Sequence, residues 1–144
     1  MPYLPLRSVP DRPTRAIASD WLASLSAALG DPGTDRALLC RQTLTSLFYP
    51  EYAANWETAV RDEKLPLLTR SALLSLDPRN VTLEPEHYAD CDQEKFQRVK
   101  PLLWLWYSCD RTPMGGQNVT TGVKLRRLLA PLIFKRCGEN FNAF

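Results

Sequence analysis

"VKLRRLLAPLIFKRCGENFNAF", Val123–Phe144, is the stretch on which the reading of this chain turns. Leu125, Leu128, Leu129, Leu132 and Ile133 recur at helical spacing as an inward stripe, and the same segment carries Lys124, Arg126, Arg127, Lys135 and Arg136. The spacing predicts a helix over 123–137, bent at Pro131 and ended by a left-handed stop at Gly138. Residues 139–144 then look like the start of an extended segment. Two readings follow. Either the chain leads here into a further β-structure, or Phe141 and Phe144 fold back onto a helical core. We favour the first, because two exposed phenylalanines close a chain poorly.

Upstream the helical rhythm is regular. Ile17, Trp21, Leu22, Leu25 and Leu29 form one apolar stripe that begins after Pro13 and ends at Gly30. Leu38, Leu39, Leu44 and Leu47 mark a second helix starting near Thr34–Asp35 and stopping before Pro50. A third is expected over 51–64 and a short fourth in "PLLTRSALLSL", ended by Asp77-Pro78. Residues 77–91 break the rhythm and suggest an extended connection with a short strand at Val81–Leu83. Asp92 caps the next helix, which Pro101 either kinks or divides before Cys109. Residues 110–122, "DRTPMGGQNVTTG", read as a loop. The expected fold is therefore mainly α: a compact bundle of five to seven helices with little or no sheet. Its parts are an extended Pro-rich arm over 1–13, a helical domain over 14–138 and the extended step over 139–144.

Composition narrows the class. With 144 residues, 44% apolar and 24% charged, the chain has the size and make-up of one globular domain. No apolar run approaches the roughly 20 residues of a membrane-spanning helix, and the first residues lack the apolar core of an export signal. A cytoplasmic protein with no transmembrane segment is expected. Net charge is +2, unevenly placed: residues 1–91 carry 9 Lys/Arg against 12 Asp/Glu, and residues 92–144 carry 9 against 4. That imbalance fits a solvated helix face and falls short of a nucleic-acid footprint, so no nucleic acid is expected as partner. Cys40, Cys91, Cys109 and Cys137 lie 51, 18 and 28 residues apart, so neither a zinc site nor a disulfide framework is expected. Asn80-Val81-Thr82 and Asn118-Val119-Thr120 match the glycosylation acceptor pattern, which carries no meaning in a cytoplasmic chain.

Few residues offer chemistry. His87 is the sole histidine, flanked by Glu84, Glu86 and Asp90, and reads as a surface residue of a loop. "GGQNVTTG" lacks the lysine ending and preceding strand of a phosphate loop. "WLWYSC" is the densest aromatic patch: Trp104 and Tyr107 share a helix face, and Trp106 lies well round from both. No catalytic or metal-ligating residue is assigned. The candidate interaction surface is Arg126, Arg127, Lys135 and Arg136 with Trp104 and Trp106.

"KLRRLLAPLIFKRCGENFNAF" resembles the lead-in of hexapeptide-repeat acyltransferases, in which a basic, leucine-rich helix runs into a glycine–asparagine–apolar step. Here that step is Gly138-Glu139-Asn140-Phe141, and Leu102–Gly122 is similar to the helical extension some bacterial members carry. The resemblance implies a left-handed parallel β-helix downstream, a homotrimer formed through it, and acyl-CoA as co-substrate. The chain would then be a helical accessory region of a coenzyme-A-dependent O-acyltransferase acting on a sugar or similar hydroxyl, inactive unaided and holding no cofactor itself. The alternative is a small helical module that binds or assembles with another protein.

Overall fold

A computed structural model of the chain describes residues 9–10, 12–139 and 141–143. Among them are six α-helices and no strand: α1 Arg15–Gly30, α2 Arg36–Phe48, α3 Trp56–Arg61, α4 Leu67–Ser75, α5 Gln93–Cys109 and α6 Val119–Ile133. Most of the proline-rich arm, and Asn140 and Phe144 of the final step, lie outside the described residues.

Local chemistry starts these helices where the chain needs them. Asp35 accepts from the N–H groups of Ala37 and Leu38 at 2.9 and 3.1 Å, opening α2. Asp92 accepts from Lys95 N–H at 3.1 Å and opens α5 in the same way. The expected 51–64 helix is shorter than its pattern. A 3₁₀ turn over Pro50–Tyr52 comes first, and Asn55 leaves helical geometry before α3 begins at Trp56. Asp62 then accepts from Lys64 N–H at 2.9 Å, a side-chain turn that competes with further helix. The strand expected at Val81–Leu83 does not form: two 3₁₀ turns, Pro78–Asn80 and Glu84–His87, flank a short extended link that pairs with no strand among the described residues.

α5 passes through Pro101 as one helix. It packs on α2 and α6, while α1 lies chiefly on α6 and α3 on α4. The core is leucine-rich, with Leu44, Leu73, Leu102, Leu105, Leu125 and Leu129 all fully buried. Each such side chain contributes about 1.5–3 kcal/mol. Cys40 and Cys109 complete it. Burial pushes both thiols up, Cys109 to about 12, so they behave as small apolar groups. Ile17, expected in the α1 stripe, is 64% exposed. With α6 as its main partner, α1 buries only a narrow line through Ala18, Leu25 and Leu29.

α6 differs most from its expected bounds. It begins at Val119, because Asn118 caps it by accepting from Thr121 N–H at 3.4 Å. It ends at Ile133, where Phe134 turns to extended geometry, so Gly138 is no helix stop. No described glycine adopts the left-handed conformation. The glycines of 110–122 serve close approach instead. A Cβ on Gly115 would meet the Cys109 carbonyl oxygen at 2.0 Å, and one on Gly122 would meet Gly115 O at 2.5 Å. That contact seats the start of α6 against the turn leaving α5.

Candidate interaction surfaces

Trp104 and Trp106 are two residues apart on α5, a rotation of roughly 200°, so they leave the helix on nearly opposite sides. Each meets a different neighbourhood.

On one side, Trp104 donates from Nε1 to the Ser75 carbonyl at 2.9 Å and is fixed as the floor of a groove of about 370 Å³. Phe48 and Tyr49 at the end of α2, Ala72 and Ser75 of α4, and Tyr107 of α5 form its walls. Arg111 stands at its rim, its guanidinium unpaired among the described residues. Tyr107 is 55% exposed, and Leu68, one turn before Ala72, is 81% exposed and lengthens the apolar wall along α4. Trp104 and Tyr107 thus share a face as their spacing predicts. Phe48, Tyr49 and Arg111 carry no local signal that they join it.

On the other side, Trp106 meets Phe134 and Phe141 with ring centroids 6.1 and 6.2 Å apart, both edge-on. Phe134 and Phe141 are themselves 6.2 Å apart. Phe141 therefore folds back onto the helical body. Arg127 holds it there: Nε donates to the Phe141 carbonyl at 2.9 Å, and the other arm of the guanidinium donates to the Asn142 side-chain oxygen.

The basic residues do not form one surface. Arg126, expected to face a partner, is only 4% exposed. It pairs with Asp110 across the α5–α6 junction and lies 5.9 Å from the Trp106 ring centroid. It is buried because α6 turns that position toward α5, where Asp110 supplies the opposite charge. The absence of a Cβ at Gly122 leaves its guanidinium room, since one would stand 2.8 Å from it. Arg127 is exposed but engaged. Lys135 and Arg136 are exposed and unpaired among the described residues.

His87 is exposed at the end of its 3₁₀ turn, with no side-chain partner among the described residues. Its neighbour Glu86 turns inward instead and accepts from Leu83 N–H at 2.6 Å, Gln97 Nε2 at 2.8 Å and Lys100 Nζ at 2.8 Å. Lys100, 5% exposed, also donates to the Val81 carbonyl at 2.6 Å. Burial acts to raise the Glu86 pKa, but Lys100 and the two neutral donors outweigh it and hold the group down to about 2. A depressed folded-state pKa stabilises the fold above the ordinary carboxylate value near 4.5, and that contribution is lost as pH falls toward 2. Unfolding midpoints measured from pH 6 to pH 2 should therefore fall more steeply for the unaltered chain than for Glu86→Gln. Parallel curves would show that the network contributes nothing to acid sensitivity.

No helix among the described residues is long and apolar enough to cross a membrane. No group of three or more His, Cys, Asp or Glu among them could hold a metal ion. Compared with known proteins, the chain matches no family model, no curated protein and no solved structure.

Proposed function

We propose that the chain is a helical protein-binding module working in the cytoplasm, with the α2–α4–α5 groove as its contact surface. The observation that carries this is the convergence of four aromatic side chains and one unpaired arginine on a single concavity. Its size, about 370 Å³, suits one large apolar anchor, and the exposed leucine on α4 extends it along a helix axis. The occupant that fits is a short amphipathic helix, one bulky apolar side chain in the groove and a carboxylate facing Arg111. Selection from a library of helix-forming peptides should enrich sequences in which such a side chain and an acid share one face. Tyr107→Ala and Arg111→Glu, both at exposed positions, should each weaken the selected peptides at least about tenfold with unfolding unchanged. Selected peptides indifferent to both changes would remove the groove from consideration.

The acyltransferase relationship is a second proposal. Beyond its sequence resemblance, the described residues after Ile133 are non-helical, but Phe141 takes the fold-back course that the alternative expects. It requires a native product heavier than 16.4 kDa that transfers an acyl group from coenzyme A. An intact native mass of 16.4 kDa would end it.

A further inference from the structure

The segment after α6 is held by a division of labour that belongs to peptide recognition. One ring, Phe141, completes a three-ring cluster with Trp106, which it meets edge-on, and Phe134, to which it is tilted by 46°. One guanidinium, Arg127, reads the carbonyl of that residue and the side-chain oxygen of the next. Beside them stand the Phe134 N–H bond to the Ala130 carbonyl at 2.9 Å, a turn in which Phe141 N–H donates to the Gly138 carbonyl at 3.3 Å, and a contact of Cys137 Sγ with the Gly138 carbonyl at 3.8 Å. No regular secondary structure supports it.

We infer that Trp106, Phe134 and Arg127 form a binding site for an extended peptide in which an aromatic residue is followed by an acidic one, and that Phe141-Asn142 occupies it in cis. The chemistry of the fork points to the acid. A guanidinium matches a carboxylate with two parallel charge-assisted hydrogen bonds, whereas Asn142 offers it one neutral oxygen. Lys135 and Arg136, exposed and unpaired, bias the surroundings further toward a negative ligand. Of the neighbouring carboxylates, Asp110 is already paired with Arg126, and Glu139, exposed two residues before Phe141, belongs to the cis segment that the peptide would displace. The cis segment keeps the site filled through its high effective concentration, while lacking the group that would fill it best. The site is separate from the groove at Trp104, which faces the other side of α5, and either proposal stands without the other.

A fluorescently labelled peptide Glu-Asn-Phe-Asp-Ala, titrated with the full chain and followed by anisotropy, tests this directly. Phe141→Ala, which removes the cis ring and leaves the segment held by Arg127 alone, should raise affinity about tenfold or more over the unaltered chain. The same peptide with Asn for Asp should bind the Phe141→Ala chain several-fold more weakly. Adding Arg127→Ala to Phe141→Ala should abolish binding. Adding Arg127→Lys, which keeps the charge without the fork, should give an intermediate loss. Arg127 is exposed and Phe141 half-buried, and circular dichroism verifies that each variant is folded. Equal affinity for the unaltered and Phe141→Ala chains, no binding to either, or indifference to Arg127 would each overturn the proposal.

Discussion

The Arg126→Glu variant should lose about 3 kcal/mol of stability, whereas Arg127→Glu, one residue along, should lose less than about 1 kcal/mol. The two arginines look alike in the sequence and differ in what surrounds them. Arg126 has a side chain 5% exposed, paired with Asp110. Its reversal places a second carboxylate opposite the first in a site with little water, and it also removes the cation beside Trp106. Loss of one partner from a buried pair costs roughly 3–5 kcal/mol. The lower end applies here because the Asp110 side chain is 44% exposed and regains water. Arg127 donates at the surface, where such contacts contribute little to stability. For a chain of this length the loss amounts to about 6–12 °C in Tm for Arg126→Glu, readable in one thermal scan of each variant. Equal Tm values for the two variants would contradict the burial of Arg126.

Gly115→Ala is the second change with a large expected effect. The added methyl would stand 2.0 Å from the carbonyl oxygen and 2.5 Å from the carbonyl carbon of Cys109, the last residue of α5. Backbone has to move to admit it. The Cys109 carbonyl already accepts from Thr112 N–H at 2.9 Å and from Thr112 Oγ1 at 2.8 Å, so a shift there breaks the turn that starts the 110–118 connection. The cost should reach at least the upper end of the roughly 1–3 kcal/mol typical of overpacking. Gly30 is the natural control. It ends α1 in helical geometry with nothing within 4 Å of a Cβ, so Gly30→Ala should gain about 0.4–1 kcal/mol through the unfolded state. Urea denaturation of the two variants should move the midpoint in opposite directions. A Gly115→Ala midpoint equal to that of the unaltered chain would mean that the close approach is not obligatory.

Much of the helical architecture was legible because its signals are local. The stripes of α1 and α2, the start of α2 near Thr34–Asp35 and the cap at Asp92 are written within a few neighbouring residues. What was not legible depends on partners distant in sequence. The leucine stripe of α6 leaves Arg126 looking like part of a solvated face, and only Asp110, sixteen residues earlier, makes its burial tolerable. Ile17 fits its stripe, yet α1 turns it outward and leaves it exposed. Composition made 110–122 look like loop throughout, yet Asn118 begins a helix there, and Gly122 belongs inside it because Gly115 passes so close. Of the candidate surface, Trp104 with Tyr107 and the separate course of Trp106 followed from helical geometry. The groove needed the end of α2 and part of α4 as well, which spacing along α5 does not reveal.

The placement of the four sulfurs makes the chain its own recorder of motion. Cys40 and Cys109 sit in the leucine core with thiols held protonated, closed to an alkylating reagent until the helices part. Cys91 lies half-buried just before α5, and Cys137 half-buried in the segment that Phe141 pins. A reagent added to the native protein therefore meets three thresholds in one molecule. The modification rate at Cys137, already part-open to solvent, reports on the segment that carries it. That at Cys91 follows the connection into α5, and those at Cys40 and Cys109 follow the opening of the whole bundle.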